Sequence, residues 1–312
     1  MDEYISALNE YKKSNGQPLS QKSKDTYIRN MTNLITKHGM DWRISKLHDT
    51  YFKDFSTSQQ INYINAIINY LDLLNKPETT ILMYKKERDR LSEIRNTQPM
   101  NPKKAENLAT WDEIIKWRNL VIKKNDFLNE KGDVPIDKLQ VEALLRLYTQ
   151  YQRRNEYADL IFDDDTAKPM NEQTALQLQA ENKLFYNTTT DELSLILNDY
   201  KTNGKYGRQV LPIINTTENL NLKSFLLKYI ILNDRNPIMF LTPKSKKPMS
   251  RLNLTKLLNR SSEEMISKTI STDRIRKAYN TTKYGDIKKS LEQDVFNNSH
   301  STQTIMNNYV IS

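Results

Sequence analysis

His300 and Tyr309 stand nine residues apart near the end of the chain, in Ser299-His300-Ser301-Thr302-Gln303-Thr304-Ile305-Met306-Asn307-Asn308-Tyr309. Upstream, Arg276 sits in a basic run, Thr272-Asp273-Arg274-Ile275-Arg276-Lys277-Ala278-Tyr279. Two further stretches offer cations: Arg153-Arg154-Asn155-Glu156 and Lys201-Thr202-Asn203-Gly204-Lys205-Tyr206-Gly207. These residue types suit attack on a phosphodiester. A phenol with a pKa of about 10 is a poor nucleophile at neutral pH unless positive charge surrounds it. Two guanidiniums gripping non-bridging oxygens stabilise the charge that grows on phosphorus. A lysine or a histidine can protonate the departing oxygen. Such a site needs a fold that gathers groups spread from residue 153 to residue 309.

Composition sets the limits within which that fold must lie. With 312 residues the chain has room for two ordinary domains, and 37% hydrophobic against 27% charged residues describes a globular protein. The longest apolar stretch, Ser224 to Leu232, is interrupted by Lys228, and the Met-Asp-Glu start lacks the basic-then-apolar plan of a signal peptide, so no membrane segment is expected. Cysteine is absent, which excludes disulfides, thiolate zinc sites and cysteine nucleophiles and fits an intracellular setting. Three histidines, His38, His48 and His300, are too few for a histidine-rich metal site. The net charge of +9 is uneven: residues 201–290 carry 19 basic and 6 acidic groups, whereas residues 101–200 carry 13 and 18. A concentrated positive block is what a phosphate backbone requires, although a solvated surface would also account for it.

The pattern predicts a mainly α protein with a small antiparallel β-sheet, an α+β fold. Residues 1–97 read as a helical bundle. A first helix runs from Asp2 to Lys13 and stops at Asn15-Gly16. A second covers 19–38, with Tyr27, Met31, Leu34 and Ile35 at helical spacing. A third follows a Ser58 cap, with Ile61, Ile64, Ile67, Ile68, Leu71 and Leu74 in one stripe, and a fourth follows Pro77 to about Asn96. Residues 98–109, with two prolines and no period, form a linker. Thr110-Trp111-Asp112-Glu113 fits a capping box opening the domain of 110–312. Helices over 111–125 and 136–152 are followed by a short strand at Ala158–Asp163 and strands at Lys183–Asn187, Glu192–Asn198 and Arg208–Ile213. Helical patterns return at 217–232, 252–259, 262–269, 273–282 and 286–296.

Taken together, these residues resemble the tyrosine recombinase, or phage integrase-like, family. Its first box, Arg-x-x-Glu before a leucine and an acidic turn, stands here as Arg153, Glu156, Leu160 and Asp163; its β-hairpin lysine matches Lys201. Its second arginine matches Arg276, and its His-Ser…Tyr box matches His300, Ser301 and Tyr309. The run around Arg276 is most like recombinases of large eukaryotic DNA viruses and virophages. The resemblance implies a SAM-like core-binding domain in 1–97 and a catalytic domain in 110–312, closing on double-stranded DNA. Tyr309 would be the nucleophile, Arg153 and Arg276 the phosphate clamps, Lys201 the general acid and His300 a donor to the same phosphate. The product would be a 3′-phosphotyrosine link, formed without metal, nucleotide or other cofactor. Self-association as a dimer or tetramer on DNA, and a place in a host nucleus or viral factory, are implied in the same way. A type IB topoisomerase, which relaxes plasmids without site preference, or an inactive DNA-binding relative are the alternatives.

Several positions have rivals or depart from the family pattern. Arg154 competes with Arg153, and Lys205 with Lys201. Asp163-Asp164-Asp165 reads as a turn rather than a magnesium site, and His38 and His48 as structural. Nine helical residues span roughly 13.5 Å, so a helix of about 301–307 is expected to bend at Asn307-Asn308 and return Tyr309 toward His300. The family places a histidine three residues before its second arginine, where this chain has Asp273. That carboxylate either accepts the tyrosine proton or points away from the site, and the second is preferred because a carboxylate would repel phosphate.

Overall fold

A computed structural model describes residues 1–12, 18–39, 42–97, 108–130, 135–166, 181–217, 219 and 221–298. The chain divides into two compact units, Met1–Met100 and Asn101–Ser312.

The first unit is helical. Asp2–Glu10, Gln21–His38, Thr57–Leu73 and Glu78–Thr97 are α-helices, and a short helix at Ile44–Lys46 runs into a π-helical turn at Leu47–Tyr51. The apolar stripes meet inside: Met31 and Leu34 of one helix and Ile64 and Ile67 of another are fully buried with Tyr4 and Leu8. The first helix stops at Glu10, earlier than expected, because Tyr11 turns to an extended backbone. Ser56, not Ser58, caps the third predicted helix: its Oγ accepts from Gln59 N while the Gln59 side chain takes the Ser56 N–H at 2.9 Å, a complete capping box. Ser56→Ala is expected to lower stability by about 1 kcal/mol, measured as a lower midpoint in chemical denaturation; an unchanged midpoint would show the cap to be idle. His48 bonds the Glu87 carboxylate at 2.7 Å, and His38 packs edge-on to Tyr51 at 4.5 Å, so both histidines tie helices together.

The second unit joins helices to a four-stranded sheet, the α+β arrangement. Its helices are Trp111–Glu130, Ile136–Gln150, Leu222–Leu232, Arg251–Ile266 and Thr272–Asn298, with a single turn at Asn203–Tyr206. Thr110 and Glu113 form the anticipated capping box, Glu113 N to Thr110 Oγ1 at 3.2 Å and Thr110 N to Glu113 Oε2 at 2.9 Å. The strands are β1 (Ile161–Asp164), β2 (Lys183–Asn187), β3 (Glu192–Leu197) and β4 (Gln209–Pro212), in that spatial order. β2, β3 and β4 are antiparallel as expected, but β1 runs parallel to β2, so the sheet is mixed. Residues 165–182 are long enough for the crossover that a parallel pair needs. The outer edge of β1 is covered by Phe162 N donating to Pro237 O at 2.7 Å.

Two pairs of short predicted helices are each one continuous helix. Ser261 and Ser262 interrupt the apolar pattern of Arg251–Ile266, yet both are buried and bonded: Trp117 Nε1 donates to Ser261 at 3.1 Å and Ile270 N to Ser262 at 2.9 Å. Thr272–Asn298 passes through Gly285 without a break.

Candidate active site

Arg153 lies in the turn that ends the Ile136–Gln150 helix. Tyr151 is extended, and two buried tyrosines hold the turn from inside: Tyr148 donates to Arg154 O at 2.5 Å and Tyr157 to Tyr151 O at 2.7 Å. Arg153 is half-buried and Arg154 exposed, so the first of the two arginines is the one aimed at the protein. Arg153 Nη2 donates to Gln209 Oε1 at 2.5 Å, and its guanidinium lies 5.9 Å from the centre of the Tyr200 ring. Glu156 follows this turn and opens a 3-10 helix at Glu156–Asp159. Glu156 is only 5% exposed, and its Oε2 has no hydrogen-bond partner among the described residues.

Arg276 is the fifth residue of the Thr272–Asn298 helix. The start of that helix is fastened to the Arg153 turn, for Thr272 Oγ1 donates to Asn155 Oδ1 at 2.6 Å. Behind the turn, the Tyr148 and Tyr157 rings lie 4.7 Å apart and edge-on. Burial drives the Tyr148 hydroxyl well above the usual range, the neighbouring Tyr157 and Glu156 push the same way, and Arg276 pulls it back. For Tyr157 burial is again the largest influence, and Arg153 is the group that opposes it. Two cations 123 positions apart in sequence are therefore carried on segments that the Thr272–Asn155 bond holds together.

Asp273 does not point away. Its Oδ1 accepts from Arg276 Nη2 at 2.6 Å and its Oδ2 lies 3.5 Å from Lys277 Nζ. Partial burial alone would raise the Asp273 carboxyl; the Arg276 hydrogen bond and the charges of Lys277 and Arg276 outweigh it and hold the group below the usual carboxylate range. The reason is local. Residues three and four apart on a helix are neighbours, and an acidic group in the first turn also faces the positive end of the helix dipole.

Lys201 opens the connection between β3 and β4 and is exposed; among the described residues no hydrogen bond or ion pair involves it. Its neighbour Tyr200 is buried, donates to Gly207 O at 2.6 Å and packs beneath Arg153. Gly207, at φ 66° and ψ −164°, occupies backbone space that side chains rarely enter, which lets the loop close on Tyr200. The ammonium of the rival, Lys205, instead lies 5.0 Å from the centre of the Tyr206 ring. His300, Tyr309 and the helix expected over 301–307 fall outside the described residues.

The structure thus gathers Arg153, Arg276 and the root of Lys201. It adds residues that sequence reasoning passed over: Asn155, Tyr157, Tyr200, Gln209 and Thr272. A glutamine in a strand carries no local sign of its partner. The acidic run expected as a turn is mostly strand: Asp163 and Asp164 end β1, and only Asp165 lies in the turn after it. Asp163 pairs with Lys183 at 2.6 Å, Asp164 accepts from Thr166, and Asp165 accepts from Thr188. Among the described residues no group of three or more His, Cys, Asp or Glu side chains could hold a metal ion, and no helix is long and apolar enough to cross a membrane.

No protein-family model matches the chain, and no curated protein does. Among solved structures, the crystal structure of XerA recombinase matches with a TM-score of 0.34 and 13% identity, covering 90% of this chain and 83% of that one. A likeness of that degree assigns no role to any residue.

Proposed function

We propose that this chain cuts and rejoins DNA through a covalent tyrosine intermediate, as a site-specific recombinase or integrase. The observation that carries the reading is the Thr272–Asn155 bond, which joins the turn bearing Arg153 to the start of the helix bearing Arg276, with Lys201 next to Tyr200, whose ring centre lies 5.9 Å from the Arg153 guanidinium. In that arrangement the two guanidiniums hold the non-bridging oxygens of a backbone phosphate. The Tyr309 hydroxyl gives up its proton to water and its oxygen attacks phosphorus, the P–O5′ bond breaks, and Lys201 passes a proton to the departing 5′ oxygen. One phosphodiester replaces another, so the free 5′-hydroxyl of either the same or a second strand can reverse the step. His300 supports the same phosphate, and assembly of two or four copies on DNA would bring two duplexes together.

The test is a duplex nicked just beyond the cleavage position, so that the short 5′-ended fragment diffuses away and leaves protein trapped on DNA. A denaturation-resistant adduct is expected on substrates drawn from DNA that the protein enriches from its native cells; binding without any adduct would sink the proposal. A non-enzymatic DNA-binding reading finds support in Asp273, which already occupies Arg276, and it expects that second outcome.

Lys201→Ala is expected to slow cleavage about a hundredfold, and a 5′-bridging phosphorothioate, whose sulfur leaves without a proton, should restore most of the rate. Equal slowing on both substrates would remove Lys201 from the acid role.

A further inference from the structure

The guanidinium of Arg276 is held in an incomplete way. Its Nη2 donates to Asp273 Oδ1 at 2.6 Å, while its Nε is buried and has no hydrogen-bond partner among the described residues. In a guanidinium the Nε–H and one Nη2–H lie along the same edge, and that edge matches the two oxygens of a carboxylate or phosphate. Asp273 uses half of it. Its second oxygen turns instead toward Lys277 at 3.5 Å. A buried N–H left without a partner is costly, and it gains a full charge-assisted bond when a two-oxygen anion seats on the edge. The carboxylate holding the other half is shallow: the Asp273 side chain is 56% exposed against 23% for Arg276, so it can swing into water while the arginine stays in place.

We infer that Asp273 is an internal competitor for the phosphate subsite of Arg276, occupying it in the free protein and withdrawing when a backbone phosphate arrives. The inference rests on the reading of Arg276 as a phosphate clamp. Its consequence is selectivity. An isolated anion has to displace Asp273 unaided and then sit beside its charge. A duplex, held by further cations along its backbone, brings the phosphate at high local concentration. Asp273 therefore discriminates against free phosphate and loosely engaged DNA. It determines specificity without touching the reacting atoms.

The experiment compares the full chain with Asp273→Asn, with Asp273→Ser as a second variant that carries no amide, and with the double variant Asp273→Asn, Arg276→Ala. Inorganic phosphate binding is followed by phosphorus NMR line broadening, and duplex binding by fluorescence anisotropy. Removing an exposed ion pair that binding must otherwise break should tighten inorganic phosphate binding about fivefold, with a smaller gain for duplex, and the double variant should lose the gain. Unchanged or weaker phosphate binding in both single variants would overturn the inference and make Asp273 a support for Arg276. A gain that survives in the double variant would overturn it too, since it would then report net charge alone. The adduct assay on the same proteins stands apart. A wild-type chain that forms no adduct refutes the tyrosine reaction and leaves the phosphate comparison to judge Asp273.

Discussion

Tyr309→Phe abolishes covalent attachment to nicked DNA while leaving duplex binding near the wild-type level; this is the largest effect expected of any single substitution. The change removes one oxygen atom and preserves the ring, so packing is conserved and only the nucleophile is lost. The chain has 17 tyrosines, and Tyr148, Tyr157 and Tyr200 lie in or beside the turn that carries Arg153, so the result has to separate position from proximity. Tyr148 and Tyr157 are buried, their hydroxyls are already committed to backbone carbonyls, and burial holds both well above the usual tyrosine range. A hydroxyl so placed is neither ionised nor free to attack. Tyr148→Phe should therefore keep the adduct and lose about 1 kcal/mol of stability with the bond to Arg154 O. An adduct that survives in Tyr309→Phe, or vanishes in a folded Tyr148→Phe, would move the nucleophile and end the proposed mechanism.

Arg276→Ala should lower the rate of the cleavage step about a thousandfold, roughly 4 kcal/mol of transition-state stabilisation. Arg153→Ala should fall in the same range. Binding should weaken far less, because one lost phosphate contact among many removes about one unit of the salt slope. The distinction between binding and rate carries the argument. A guanidinium that matters mainly as charge grows on phosphorus appears in the rate, whereas one that merely anchors DNA appears in affinity. Single-turnover cleavage at saturating protein, beside a salt titration of affinity, tells them apart. If rate and affinity declined together, the arginines would be backbone anchors. Arg276→Lys is not a mild change here, since an ammonium cannot reproduce the two-pronged edge whose Nε has no partner among the described residues.

Much of the second unit was legible because the relevant forces act within a few residues. The Thr110–Glu113 capping box, the strands flanking Thr188-Thr189-Thr190-Asp191 and the helix of Ile136–Gln150 all depend on neighbours three or four positions away or across a tight turn. The order Arg153, Lys201, Arg276, His300, Tyr309 was likewise visible as residue types and spacing. What could not be foreseen depends on partners distant in the chain. β1 pairs with β2 across residues 165–182 and is edged by Pro237, which no local period announces. The two serines that seemed to divide the Arg251–Ile266 helix are accommodated because Trp117 and Ile270 bond them.

The site divides along the same line. Residue identities along the chain were enough to nominate a phenol, two guanidiniums and an ammonium as reactants. The placement of Arg153, Arg276 and the start of the Lys201 loop follows from the Thr272–Asn155 bond, the Tyr148–Tyr157 pair and the contact of Tyr200 with Arg153. Asp273 is the clearest case. The sequence reading preferred a side chain pointing away from the site, whereas the exposed carboxylate lies 2.6 Å from Arg276. Spacing along a chain specifies which groups can meet within one turn of helix, whereas burial and long-range hydrogen bonds select which of those meetings form.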